Sequence, residues 1–203
     1  MRIAVLGAGV VGQALAAKLR ALGHNVSIGT RNPRDGAVSY AEAAETAELV
    51  VNATAGAVSL EALDAAGAEN LAGKLLIDVS NPLDFSKGRP PTLSVCNDDS
   101  VGEQIQRAHP AAKVVKTLNT VNNALMVNPA LVPGEHVVFV CGNDDGAKAQ
   151  TVELLSSFGW PSERIVDLGD ISNARGTEMY IALWIRLMGA LGTPNFNIAL
   201  PHA

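Results

Sequence analysis

The sequence predicts an α/β fold, a Rossmann-type doubly wound, mostly parallel sheet with a C-terminal helical extension. Three observations predict it. Short apolar, β-branched runs alternate with Ala/Leu-rich helical stretches along the 203 residues. Several of those runs lack polar alternation, as strands covered on both faces do. A glycine-rich turn, Gly7-Ala8-Gly9-Val10-Val11-Gly12, joins the first run to the first helical stretch. Alternation at this pace gives right-handed βαβ units.

The elements follow in order. Residues 2–6 (RIAVL), 25–29 (NVSIG), 48–52 (ELVVN), 75–79 (LLIDV), 114–118 (VVKTL) and 137–141 (VVFVC) read as strands. Between the first two, Val11, Leu15, Leu19 and Leu22 recur at helical spacing, and Gly23 ends the helix. Residues 57–66 and 144–158 read as further helices. Residues 80–112 form a long excursion rich in Pro, Asp and Ser, with a helix near 100–108. Excursions of this length in compact domains are often functional. A last helix covers roughly 173–191. From Met179 to Leu191 it is apolar almost all round, with Arg186 its one charge there, so it is expected to be covered on more than one side, either by the rest of the domain or by another subunit. Residues 1–142 are read as a dinucleotide-binding core. Residues 143–203 are read as an extension completing the domain and forming the substrate cleft or a dimer interface.

Composition narrows the function. Hydrophobic residues make up 48% and charged residues 17%, which excludes an intrinsically disordered chain. The net charge is -5, from 15 Lys+Arg against 20 Asp+Glu, and leaves no basic surplus for nucleic acid. No apolar run reaches the ~18–20 residues of a membrane span. The first residues enter fold-forming sequence directly, so no signal peptide is expected. Cys96 and Cys141 stand far apart and outside any CxxC pattern, which suits the cytoplasm and argues against a disulfide framework or zinc site.

The glycine turn carries the first functional signal. G-x-G-x-x-G alone is weak, but here it follows an apolar strand and opens an amphipathic helix. Gly7 permits the tight turn, Gly9 lets backbone approach a pyrophosphate, and Gly12 lets the helix pack on the strand. The helix N-terminus offers unpaired N–H groups, from Ala8, Val10 and Val11 onward, to the phosphates. The ribose-reading position lies ~20 residues further on. An NAD site places a carboxylate there. This chain has Gly29-Thr30-Arg31-Asn32-Pro33-Arg34 and no carboxylate between Gly7 and Asp35. A hydroxyl and two guanidinium groups suit a 2′-phosphate, so the cofactor reads as NADP.

Three strand ends supply walls. They are Asn52-Ala53-Thr54, Ser80-Asn81-Pro82 and Asn119-Thr120. Ligands of doubly wound sheets lie outside such ends. Small polar residues there leave room for a ribose and a flat nicotinamide, although each is also an ordinary turn or cap residue. No Tyr-x-x-x-Lys dyad occurs, since Trp184 stands four residues after Tyr180, and no large helical second domain follows. No histidine has a metal-ligand spacing partner, and His24, His109, His136 and His202 are read as surface residues. Asp98-Asp99 and Asp144-Asp145 are read as helix starts. No catalytic acid or base and no metal ligand is assigned. Hydride transfer between two redox cofactors needs neither, because the cofactors carry the chemistry.

The segments MRIAVLGAGVVGQALAAKLRALGHNVSIGTRNP, LLIDVSNPLDF, KVVKTLNTVN, VFVCGNDD and ISNARGTEMYIALWIRL resemble, in order, the F420-dependent NADP oxidoreductases. They also resemble the NADPH-binding domain of the six-transmembrane metalloreductases. The resemblance implies that Thr30, Arg31 and Arg34 hold the 2′-phosphate. It implies a deazaflavin ring against the nicotinamide, near the Thr120 loop and the C-terminal helix, and it implies homodimers. The chain departs from the family at Ala53-Thr54, where Ile-Pro is typical, and at LNTVNNALM in place of an HTIPA-like run. The leading reading is an NADP(H)-dependent oxidoreductase that exchanges a hydride with coenzyme F420; the alternative is an NADPH-dependent flavin or ferric-type reductase with a soluble acceptor. A non-catalytic NADP-binding redox sensor is the reading from another class.

Overall fold

The computed structural model describes residues 1–201, so His202 lies outside the described residues. The chain runs β1 (Arg2–Leu6), α1 (Val10–Ala21), β2 (Asn25–Gly29), α2 (Tyr40–Glu45), β3 (Leu49–Asn52), α3 (Ser59–Ala66), α4 (Ala68–Leu71) and β4 (Leu75–Asp78). It continues through the hairpin strands β5 (Leu83–Asp84) and β6 (Thr92–Leu93), then α5 (Val101–Ala108), β7 (Lys113–Thr117), α6 (Asn123–Val127) and β8 (Val138–Gly142). It closes with α7 (Asp145–Phe158), β9 (Ile165–Asp167) and α8 (Ala174–Leu191).

The main sheet has the order β2-β1-β3-β4-β7-β8-β9. Its pairings are parallel except for β7 with β8, which is antiparallel. The chain leaves β1 toward β2 on one side and returns to β3 on the other, so the strand order reverses at β1. A crevice forms at such a reversal, outside the carboxyl ends of the strands.

Alternate strand residues feed opposite layers. Val5, Ile28, Val51, Ile77, Val115 and Val140 pack beneath α1 and α7 with Leu15, Leu19, Leu155 and Phe158. Leu6, Val50, Leu76 and Val114 pack on the other side with Leu63, Leu71, Ile105 and Ala174. Each large aliphatic side chain buried this way contributes about 1.5–3 kcal/mol. The α1 stripe of Leu15 and Leu19 is buried as its spacing predicts, while Leu22 ends up 38% exposed beyond the last turn. There Gly23 adopts φ +84° and its N–H bonds back to Arg20 O, which ends the helix.

Several sequence readings need correction. His109 and His136 are buried, at 4% and 9% exposure, and are not surface residues. His136 Nε2 faces the carbonyls of Pro129 and Val132, and its Nδ1 accepts from Asn197 Nδ2. His109 Nε2 lies 3.3 Å from Asp64 Oδ1. Helix α5 is capped by Ser100, whose hydroxyl accepts from Glu103 N, and not by Asp98 or Asp99. Asp144 does cap α7, accepting from Ala147 N at 2.8 Å. Helix α8 is covered by its own domain along one side only. Thr177, Glu178, Ile181 and Trp184 are buried, while Met179, Leu183 and Leu191 are 38%, 55% and 56% exposed. Cys96 and Cys141 are free, and burial pushes the Cys141 thiol up to about 12. Among the described residues no helix is long and apolar enough to cross a membrane.

Candidate functional site

The glycine turn sits at the crevice between β1 and β3. Gly7 has φ +115°, and a Cβ there would lie 2.6 Å from Ala53 O. A Cβ on Gly12 would lie 1.9 Å from Gly7 O, so only glycine lets α1 approach the turn this closely. Gly9 differs. It has an ordinary φ of -75° and caps α1 without a side-chain bond. A Cβ on it would meet nothing within 4 Å. Protein packing does not require a glycine at that position, whereas a phosphate lying on the helix N-terminus would. The first turn of α1 has no acidic residue to neutralise its positive end.

Two cavities flank this turn. One, of about 480 Å³, is polar and lined by Ala8, Gln13, Thr30, Asn32 and Arg34 among others. It brings together Thr30 and Arg34, two of the three residues expected to hold the 2′-phosphate, with Asn32 between them in sequence. Arg31, the third, is not part of the lining. Its guanidinium is 3.5 Å from Glu61, with both side chains about two-thirds exposed. The opposite cavity is a cleft of about 810 Å³. Ala53, Thr54, Ser80, Asn81 and Asn119 line it together with Val11, so residues from all three predicted strand ends converge. Asn52 and Thr120 are 0% and 1% exposed and stand behind the lining, and Pro82 is buried as well. Val10 is 72% exposed at the mouth of the turn.

The lining loops are tied to one another. Asn81 Nδ2 donates to Asn119 O at 2.8 Å and Asn119 Nδ2 donates to Asn81 Oδ1 at 3.0 Å. Gly56 N donates to Asn81 O, and a Cβ on Gly56 would stand 2.3 Å from that oxygen. Leu118, immediately before Asn119, holds φ +60° while 2% exposed. A bulky residue in the left-handed region costs roughly 1–3 kcal/mol and persists where its surroundings over-determine it. Ser80 Oγ and Thr120 Oγ1 are buried with no hydrogen-bond partner. Unpaired hydroxyls behind a cleft fit a site whose polar partners come with the ligand.

Sequence reasoning placed the C-terminal helix beside the cleft but named none of the residues of this far wall. Ile181 and Trp184 of α8, Phe85 of the hairpin, and Pro194 and Asn195 beyond α8 also line the cleft. Phe196 stacks on Trp184 with ring centroids 5.3 Å apart. Asn122 Nδ2 donates to Pro194 O and to Asn195 Oδ1, which straps the last segment over α6. It also missed a buried ion cluster. Lys116 Nζ lies 2.7 Å from Asp78 Oδ2 and 2.7 Å from Glu178 Oε1. Burial pulls the lysine pKa down, but the two carboxylates more than offset it, and the ammonium titrates above its ordinary value. A charge inside LLIDV, another inside VVKTL and a third in an apolar helix were the available signal. Charges on strands covered on both faces must be paired.

Of the lining residues only Asp84 carries a formal charge. The cleft therefore suits a flat, uncharged ring. A glycine-cradled helix end at the strand reversal, with a basic pocket on one side and this cleft on the other, defines a dinucleotide-binding protein of the Rossmann class. Comparison with known proteins narrows the class. The family described as NADP oxidoreductase, coenzyme F420-dependent, matches residues 2–82. A solved chain from Arthrobacter sp. FB24, a proposed F420-dependent NADP-reductase, is 54% identical, with a TM-score of 0.96 and 100% of each chain covered. A hypothetical protein from Sinorhizobium meliloti is 25% identical over 99% of this chain and 96% of its own, with a TM-score of 0.65. The chain is also 28% identical over 202 residues to metalloreductase STEAP3 of Rattus norvegicus, covering 95% of this chain but 38% of that one. It thus spans little more than a third of the curated relatives it matches. The chain belongs to the F420-dependent NADP oxidoreductase family.

Proposed function

We propose that this protein transfers a hydride between NADPH and coenzyme F420. The observation that carries the reading is the cleft of about 810 Å³, almost free of charge, beginning at the glycine turn and walled by Ile181 and Trp184. Its volume would leave room for two flat rings, which the strand-end residues Ser80, Asn81 and Asn119 on one side and Ile181 and Trp184 of α8 on the other would hold. NADPH bound there supplies the hydride, which an oxidised deazaflavin takes up with a proton from solvent.

The protein's own residues bind, orient and exclude water. The α1 N-terminus, with Gly7, Ala8, Gly9, Val10, Val11 and Gly12 around it, meets the pyrophosphate. Thr30, Asn32 and Arg34 grip the 2′-phosphate, and Arg31 joins them by leaving Glu61. Ala53, Thr54, Ser80, Asn81 and Asn119 face the nicotinamide half, backed by Asn52, Pro82 and Thr120. No side chain is needed as acid or base. In this reading residues 1–142 hold the dinucleotide, and residues 143–203 complete the domain and the far wall. The protein works in the cytoplasm as a homodimer, a state supported by the exposed apolar stripe of α8.

The test is an absorbance assay in which purified protein is mixed with NADPH and oxidised F420, with NADH and free flavin mixtures in parallel. Rapid bleaching of F420 with NADPH and little with NADH supports both halves of the proposal. Flavin reduction without F420 reduction would favour a second reading, an NADPH-dependent flavin or ferric-type reductase with a separate acceptor. The similarity to metalloreductase STEAP3 is what supports that alternative.

A further inference from the structure

The ion cluster belongs to a polar row that crosses the sheet. Asn52, Asp78, Lys116 and Cys141 are successive register partners on β3, β4, β7 and β8. Lys116 Nζ donates to Asp78 Oδ2 at 2.7 Å and to Ser80 O at 2.6 Å. Its third oxygen neighbour is Glu178 Oε1 at 2.7 Å, so all three ammonium N–H groups have partners. Asp78 Oδ1 accepts from Ser80 N at 3.1 Å and from Asn52 Nδ2 at 2.9 Å. Asn52 Oδ1 accepts from Thr54 Oγ1 at 2.6 Å. Glu178 lies one turn before Ile181 on α8, and it accepts from Val101 N and Gly102 N at the start of α5.

One ammonium thus reaches both walls of the cleft. Toward the strand ends it fixes the Ser80 peptide directly and the Thr54 turn through Asp78 and Asn52. Toward α8 it fixes the turn that carries Ile181. Stability is a poor reason for this arrangement, since an apolar replacement of a buried ion cluster is often as stable or more so. Conformational definition of the cleft is the better reason.

We propose that Lys116 is a positioning residue for the nicotinamide half of the dinucleotide. It holds the Ser80–Asn81 and Ala53–Thr54 turns at the spacing the ring requires, and it leaves the adenosine half untouched. The proposal rests on the reading of the cleft as the nicotinamide site.

Two ligands separate the halves. 2′,5′-ADP carries the adenosine and 2′-phosphate but no nicotinamide, and NADPH carries both. Each is titrated by calorimetry into wild type, Asp78→Asn, and the double variant Lys116→Met with Glu178→Gln, which keeps the net charge of the cluster. The fluorescence enhancement of bound NADPH is read in the same samples. Binding of 2′,5′-ADP is expected to stay within about twofold in both variants and so to report an intact fold. NADPH affinity is expected to fall about tenfold, the scale of one charged hydrogen bond, and the fluorescence enhancement to shrink. As a control, Arg175→Met removes a charged contact of α8 with Glu103 outside the row and should leave both ligands unchanged. NADPH and 2′,5′-ADP affinities that move in parallel, or an unchanged NADPH affinity, would overturn the proposal. Wild-type protein that binds neither ligand would instead overturn the reading of the cleft, and this proposal with it.

Discussion

At Gly9 and Gly12 the same methyl group has opposite consequences. In Gly12→Ala the new Cβ would lie 1.9 Å from Gly7 O, and the glycine turn must shift. The expected cost is about 1–3 kcal/mol of stability together with weakened NADPH binding. In Gly9→Ala the Cβ meets no protein atom within 4 Å at an allowed φ. Its melting temperature should stay level or rise slightly while NADPH binding weakens, because the methyl occupies the phosphate's space. Thermal melting and calorimetry on the two variants check this. Equal loss of stability in both would contradict it. The basic residues also divide. Arg34 lines the polar pocket, and Arg31 rests on Glu61. Arg34→Ala is expected to weaken NADPH at least about tenfold with little effect on NADH, and Arg31→Ala to show the same preference with a smaller loss. Identical effects on the two dinucleotides would refute the 2′-phosphate assignment.

Helix α5 illustrates what elements conceal in a sequence. Its existence was legible near 100–108, yet its cap was not, because Asp98, Asp99 and Ser100 are all good cap residues. The structure gives the cap to Ser100 and hands Asp99 to Arg107, with bonds of 2.9 and 2.8 Å. The Arg107 guanidinium holds the Asp99 carboxyl down at about 2 from 3.8, against a smaller opposing effect of burial. A depressed carboxylate contributes stability that is full above its unfolded pKa and is lost as pH falls through the folded one. The melting-temperature gap between wild type and Asp99→Asn should therefore be constant above about pH 5 and close between about pH 4 and 2. A gap independent of pH would contradict the pairing. Helix α1 was legible because its apolar periodicity runs over 12 residues, and strands β1 and β2 because they are apolar, β-branched runs flanking it across the glycine turn and Gly23. Strand β9 and helices α4 and α6 span three to five residues, and tertiary contacts rather than local pattern sustain them. Helix α2 carried a readable signal in Ser39 and Glu42, which form a capping box. Asp78 and Lys116 were hidden by the apolar residues around them, since a run read as a buried strand averages over its single charge.

For the whole molecule, the strand-end wall of the cleft was legible because turns at a sheet reversal have few places to go. The far wall was not, because no local pattern in α8 says which of its apolar residues face the cleft. Its remaining face, with Met179, Leu183 and Leu191, is where a second copy is expected. Sedimentation should find wild type dimeric and Leu183→Glu monomeric, and a monomeric wild type at micromolar concentration would contradict the homodimer. Hydride transfer within one cleft has a more direct test. NADPH carrying two deuterium atoms at C4 is mixed with oxidised F420 and the protein in ordinary water, and the reduced deazaflavin is weighed by mass spectrometry. Direct transfer predicts one deuterium in each reduced F420 molecule. F420 left oxidised, or reduced without deuterium, would contradict it.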